Sequence, residues 1–355
     1  MLRQLVVKII RAFLPKKCRQ YLRTNFDFFD LQTHKIYTKQ YGKIYTPIYR
    51  SNVKILNKEP DIYNADGTPI RSFFIRDEQF IDSDMQVSKY FMFDRYNFEL
   101  PVHFYTHSYM RQLVGNPQKR YGLLVEPREI TPYDYDMLDR KPEIMRQYDT
   151  VFTFDERLLN KYANTKPFCY NAVIRTFDND IKLSSKFDFS FENKTKNISI
   201  VSSNKLICPL HKLRYDWAMK FKNNPSFGVD TFGTFDGGNI VSIFAYLTDY
   251  RYSIIVENAI EPYWFTEKIL NCFATRTVPI YVGHAKMLER FNPDGIIMVR
   301  PEDYDNIEKI IKQCNEKDYA SRMHAIQDNM QRVKSYQNSM DRLYETYLKD
   351  DLLKD

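Results

Sequence analysis

A chain of 355 residues exceeds the size at which one hydrophobic core usually stops growing, so two domains are expected. Hydrophobic residues at 43% and aromatics at 15% argue against a disordered chain. The net charge of +7 resides in residues 1–24, where Arg3, Lys8, Arg11, Lys16, Lys17, Arg19 and Arg23 meet no acid; the neutral remainder argues against a nucleic-acid-binding body.

That opening segment sets Leu2, Val6, Ile9, Ile10 and Phe13 at helical spacing, with Arg3, Lys8 and Arg11 on the other face, until Pro15 ends the run. A basic amphipathic helix over 1–24 fits peripheral contact with an anionic membrane, or packing against its own domain. Charges interrupt the apolar stretch and no small-residue cleavage site follows, so it does not read as a signal peptide. No stretch is apolar for long enough to span a bilayer. Cys18, Cys169, Cys208, Cys272 and Cys314 are odd in number and widely spaced, which predicts reduced thiols in a cytoplasmic protein. The sequons at Asn193 and Asn197 then carry no glycan.

Between residues 45 and 175 the pattern predicts a first α/β domain. Its expected strands are Val53–Leu56, Val102–Tyr105, Tyr121–Val125 and Thr150–Phe154, with a helix over Tyr135–Gln147 started at Thr131-Pro-Tyr-Asp. Residues 176–196 are polar and charged and predict a linker. The second domain, 197–355, alternates more cleanly. Strands are expected at Ile198–Ser202, Phe227–Phe232, Tyr252–Val256, Val278–Tyr281 and Ile296–Val299, helices at Leu210–Lys222, Ile240–Thr248 and Phe265–Thr275, and helical turns from Glu302 onward. Such alternation implies βαβ units on parallel sheets, hence an α/β fold of two Rossmann-like domains facing across a cleft, with ligands at the carboxyl ends of the strands.

One stretch concentrates chemistry. A buried strand delivers Glu257 and Asn258 to its carboxyl end, and a short loop containing Pro262 leads to a helix capped by Thr266. Lys268 in the first turn is unfavourable with the helix dipole unless a negative group stands in front of it. A diphosphate would supply that charge and accept the backbone N–H groups. An ordinary solvated first turn with an adjacent Glu267–Lys268 pair fits the same residues.

Glu257-Asn258, Phe265-Thr-Glu-Lys-Ile and Thr277-Val-Pro-Ile-Tyr-Val-Gly283, in that order and spacing, resemble the signature of the α1,3-fucosyltransferases, glycosyltransferase family 10. The resemblance spans roughly residues 198–300. It implies two Rossmann-like domains in the GT-B arrangement, a GDP-fucose donor, a glycan acceptor held by the first domain, and transfer that inverts the anomeric centre. Carried across, Asn258, Glu267 and Lys268 bind the donor, Lys268 its phosphates and Glu267 its sugar at the reacting centre. Tyr263 and Trp264 occupy the place of an aromatic that stacks on the donor. The family's basic residue on the helix after the first donor-domain strand has three candidates in His211-Lys-Leu-Arg214, of which Arg214 suits a diphosphate best and Lys212 next. Phe232-Gly-Thr234 stands where animal relatives have Tyr-Gly-Arg, so that arginine's contact is missing or replaced.

The resemblance also implies a base after a Lys-Arg pair and a short strand. Here the pair is Lys119-Arg120 and the residue is Glu126, with Glu129 second and Arg128 expected to keep Glu126 ionised. No bound metal is expected, although a divalent ion could stimulate. The Asp-x-Asp triplets at Asp82, Asp134, Asp178 and Asp303 stand against about two expected by chance and are a weak sign of a metal, and the stretch around His103 and His107 reads as a strand rather than a metal site. A same-fold enzyme with another nucleotide sugar, and a non-catalytic nucleotide-sugar or glycan binder, are the alternatives.

Overall fold

The computed structural model describes residues 71–77, 88, 90–94, 99–172 and 194–352. The expected helix over 1–24, the strand Val53–Leu56 and most of the 176–196 linker lie outside them. The chain divides into two compact units, the first running to Thr153 and adding Arg157–Lys166, the second comprising Phe154–Glu156 and everything from Pro167.

In the first unit, β1 (Arg71–Arg76), β2 (Phe91–Asp94), β3 (Val102–Thr106), β4 (Lys119–Leu123), β5 (Thr150–Thr153) and β6 (Thr165–Pro167) form one sheet in the order β2-β1-β3-β4-β5-β6. From β2 through β5 every neighbouring pair is parallel. Side chains alternate between two apolar faces, as a parallel sheet covered on both sides requires. One face carries Phe73, Phe91, Phe104, Tyr121 and Phe152 in ring contact. The other carries Phe74, Tyr105 and Val151, packed with Met110, Leu124, Tyr135 and Leu138.

The helix expected over Tyr135–Gln147 is two helices, α1 (Pro132–Arg140) and α2 (Pro142–Met145). Pro142 has no N–H to continue the ladder and pushes Lys141 out of the helical region, to φ −124° and ψ 70°. A short helix, α3 (Glu156–Lys161), follows β5.

The second unit holds β7 (Lys196–Val201), β8 (Val229–Phe232), β9 (Tyr250–Val256), β10 (Val278–Val282) and β11 (Ile297–Met298) in the order β11-β10-β9-β7-β8, with every pair parallel. Ile254 and Val256 face Trp217, Ala218 and Phe221 of α4 (Pro209–Asn223). Ile255 and Tyr281 face the opposite layer, built from α5 (Ile243–Leu247) and α6 (Glu267–Ala274). Both faces are therefore wound with helices, as the alternation predicts. The chain steps from β7 to β8 on one side and then returns across β7 to β9. This reversal creates a topological switch point at the carboxyl ends of β7 and β9.

Two expected boundaries move. The first domain expected from the sequence reaches 175, but Pro167–Ala172 belongs to the second unit. There Arg342 donates to the Cys169 and Asn171 carbonyls at 2.9 and 3.1 Å, and Ser339 Oγ to the Asn171 carbonyl. The expected linker reaches 196, but Lys194 is buried and its ammonium donates to the carbonyls of Leu247 and Thr248 and to Thr277 Oγ1, at 2.8–3.1 Å. No described helix is long and apolar enough to cross a membrane.

Candidate active site

β9 is buried along its length because both faces are covered, and it ends by presenting Glu257 and then Asn258. Glu257 is 0% exposed. Its carboxylate accepts the Thr266 N–H at 3.0 Å and the Thr266 hydroxyl at 2.8 Å, so a nine-residue excursion closes on the residue that caps α6. Thr266 Oγ1 in turn accepts the Lys268 N–H at 3.4 Å and the Lys268 ammonium at 2.9 Å. Lys268 Nζ also lies 3.5 Å from both Glu257 and Glu267. The sequence assigned the negative charge before Lys268 to a ligand. The protein already supplies it, because Glu257 sits at the amino end of α6 and two of the first N–H groups are engaged within the chain.

Glu257 thus organises this end of the sheet, a role that the local sequence pattern does not record. A fully buried carboxylate is retained only when paired and hydrogen-bonded. Arg214 contributes to that balance, since burial pulls its guanidinium below the ordinary range while the nearby Glu257 charge opposes the shift. Arg214 Nη1 donates to the Val256 carbonyl at 3.0 Å, whereas Nε is buried without a hydrogen-bond partner. Arg214 therefore approaches β9 from α4 with donor capacity in hand.

His211, one turn earlier, faces the same strand end. Its Nε2 lies 2.9 Å from Asn258 Oδ1, and its Nδ1 accepts the Ile207 N–H at 3.4 Å. The proton is accordingly on Nε2 and is donated to the asparagine. Burial, reinforced by the Arg214 charge, lowers His211 to about 4. A neutral imidazole therefore orients the Asn258 amide, and the Cys208 thiol donates to the Asn258 carbonyl at 3.4 Å.

His211, Arg214, Asn258, Glu257, Glu267 and Lys268 thus come together at the switch point. Three expected donor contacts fall elsewhere. Lys212 points to solvent and pairs with Asp216 at 2.5 Å, because it projects from α4 about 100° away from His211. Trp264 is buried against Phe154, ring centres 4.3 Å apart, so it has no face left for a ligand. The Tyr263 hydroxyl accepts from Lys286 Nζ at 3.0 Å, and that ammonium lies over its ring. Gly233, after β8, has φ +105° and runs so near Ser202 that a Cβ would meet its carbonyl oxygen at 2.1 Å; a side chain there would collide with the end of β7.

In the first unit, Glu126 follows β4 and is partly exposed. Arg128, expected to stand beside it as a counter-ion, has its guanidinium on Asp139 at 2.6 Å and over the Tyr135 ring. Glu129 is exposed. Cys169, Cys208, Cys272 and Cys314 are free thiols, and among the described residues no group of three or more His, Cys, Asp or Glu is placed to hold a metal.

Residues 186–340 match the family model described as glycosyltransferase family 10 (fucosyltransferase) C-term. The match covers less than half of the chain and supports a fucosyltransferase-like glycosyltransferase. No curated protein matches the chain in sequence. Among solved structures, it is similar to an α1,3-fucosyltransferase with GDP at 15% identity and TM-score 0.47, covering 79% of this chain and 93% of that one. It is similar to an α1,3-fucosyltransferase with GDP-fucose at 16% identity and TM-score 0.44, covering 81% and 94%. A sucrose-phosphate synthase from Thermosynechococcus elongatus shows 12% identity and TM-score 0.48, covering 72% and 74%.

Glu257→Gln keeps the shape but leaves Lys268 and Arg214 with only Glu267 to balance them, and should destabilise the second unit by about 3 kcal/mol in chemical denaturation. A cost below about 0.5 kcal/mol would show that the carboxylate charge does not organise the site. His211 is held neutral when folded, so the unfolded state binds the extra proton between pH 6.5 and about 4. Its contribution is complete above that window and lost as pH falls through it. A His211→Asn variant should therefore show a flatter decline in melting temperature from pH 6.5 to 4 than the parent, and an equal slope would refute the coupling.

Proposed function

We propose that the protein transfers fucose, or a related 6-deoxy sugar, from GDP-fucose to a hydroxyl of a glycan acceptor, with inversion and α1,3 linkage. The acceptor oxygen attacks the anomeric carbon from the face opposite the nucleotide. The bond from that carbon to the β-phosphate oxygen breaks, and its electron pair leaves with GDP. Glu126 of the first unit takes the hydroxyl proton.

Lys268 and Arg214 meet the charge that develops on the departing diphosphate, in the role a bound metal fills elsewhere, and no metal is assigned to the site. Glu267 and Asn258 hold the sugar. Leu206, Ile207, Ile240 and Ile260, all well exposed, follow β7, β8 and β9 and offer apolar surface to the guanine and to the 6-methyl group. The observation that carries the assignment is Arg214: a buried guanidinium with an unpaired Nε, near the same Glu257 charge that Lys268 meets, at the switch point of the domain that the family model matches.

A second reading keeps the site and changes the donor sugar. The burial of Trp264 favours it, because the aromatic contact that the resemblance implies is absent. Residues 1–24, outside the described residues, remain proposed as a peripheral membrane contact of a cytoplasmic enzyme.

The purified protein is to be given a panel of nucleotide sugars and a panel of mono- and disaccharides, with and without EDTA, while nucleotide release is measured. GDP release from GDP-fucose that survives EDTA is expected; release from UDP-sugars alone, abolished by EDTA, would sink the proposal. Lys268→Ala should weaken GDP binding about 10-fold or more, the value of a charge-assisted hydrogen bond. Glu126→Gln should bind GDP normally and transfer about 10²-fold or more slowly.

A further inference from the structure

β3 and β4 run side by side to the pair Thr106–Leu123, and then β3 turns away. The Leu124 N–H goes to the Phe152 carbonyl on the β5 side, so it is the Val125 N–H that loses the carbonyl a longer β3 would have offered. His107 takes that place and reaches the next N–H as well. Its Nε2 accepts the Val125 N–H at 3.0 Å and the Glu126 N–H at 3.1 Å. The acceptor role fixes the ring proton on Nδ1, which faces Asp134 Oδ2 at 3.3 Å and Thr131 Oγ1 at 3.4 Å.

Three features mark this as a built contact. His107 is 1% exposed, in a core that buries polar groups only when they are bonded. It holds φ at +46°, a left-handed conformation that costs a non-glycine residue of order 1 kcal/mol. The strain aims the imidazole across the strand end. Glu126 is also gripped from the far side of the same residue, because the Tyr135 hydroxyl donates to its carbonyl at 2.9 Å. Asp134 and Tyr135 are adjacent on α1, so one helix backs the histidine and holds the glutamate.

We propose that His107 is the positioning residue for the base. Supported by Asp134 and with Tyr135 as its counterpart, it fixes the peptide of Glu126 and hence the origin of the carboxylate that takes the acceptor proton. This rests on the assignment of Glu126 above. A base is effective only within hydrogen-bond reach of its proton, and a shift of about 1 Å costs on the order of 10²-fold in rate.

The test measures how the full-length enzyme partitions GDP-fucose between transfer to its best disaccharide acceptor and hydrolysis by water. Partial unfolding lowers both in proportion and leaves the ratio unchanged, whereas a displaced base lowers the ratio. His107→Phe keeps the ring volume and deletes the acceptor nitrogen. It should cut kcat for transfer roughly 10- to 100-fold and lower the ratio in the direction of Glu126→Gln, with the Kd for GDP unchanged. His107→Gln, whose amide oxygen can accept, should recover part of the loss. Tyr135→Phe, a single-atom deletion that decides the matter should the histidine variants fail to fold, should lower the ratio several-fold. Wild-type ratios in His107→Phe and Tyr135→Phe, or in Tyr135→Phe alone where the histidine variants do not fold, alongside a collapsed ratio in Glu126→Gln would overturn the positioning role and leave the base assignment standing. A wild-type ratio in Glu126→Gln would overturn both.

Discussion

A carboxylate without solvent exposure, Glu257, sits at the amino end of α6 and holds the second unit's chemistry together. Its desolvation is offset by two hydrogen bonds from Thr266, by Lys268 and by the nearby Arg214 charge. Each partner is thereby constrained. Thr266 can cap α6 only where Glu257 holds it, Lys268 is kept against the cap, and Arg214 is retained in a buried place. On the proposed assignment, the site is preorganised for a diphosphate before one arrives. The two cations are already in position, and their charge is balanced in the meantime by Glu257 and Glu267.

The two units use one device twice. In each, a parallel sheet ends in a residue with a proposed role, and a buried imidazole on a neighbouring element fixes that residue. His107 accepts from the peptide N–H of Glu126 beyond the end of β4; His211 donates to the side chain of Asn258 beyond the end of β9. The tautomers are opposite because the partners are: two N–H groups require an acceptor, and an amide oxygen requires a donor. An imidazole suits both tasks, being rigid, flat and able to present either function from the same ring.

Part of this was legible in the sequence. The strands β7, β9 and β10 and the helices α4 and α6 follow from apolar periodicity and clear punctuation, and the ordered parts of the signature locate Asn258, Glu267 and Lys268 on the correct loop and helix. β1 and β2 were not seen, because an apolar core of three residues in Arg71–Arg76 is too short to separate from chance. Lys212 and Arg214 differ in fate by two positions on one helix, and only the path of β9, which places the Val256 carbonyl under Arg214, separates them. His107 and Tyr135 were invisible as a pair for the same reason. Their common partner is 19 residues from one and 9 from the other, and neither local pattern records it.

The aromatic pair illustrates what that long-range information changes. Tyr263 and Trp264 have the right residue type and position for stacking on a donor, yet Trp264 packs on Phe154 and Tyr263 is engaged by Lys286. Phe154 and Cys169 share that small core with Trp264, so the rings fasten the segments around 154 and 169 to the loop that carries Pro262. Recognition of the sugar then passes to polar groups, Glu267 and Asn258 on the proposed assignment. This has a consequence for selectivity. An apolar shelf tolerates many sugars that differ by a hydroxyl, whereas a site built to hydrogen-bond a particular hydroxyl rejects the sugar lacking it, because its own polar groups are left unpaired. On the proposed assignment, a site that has withdrawn Trp264 into the core discriminates by hydroxyl pattern, and the orientation of Asn258, set by His211, becomes part of the sugar code.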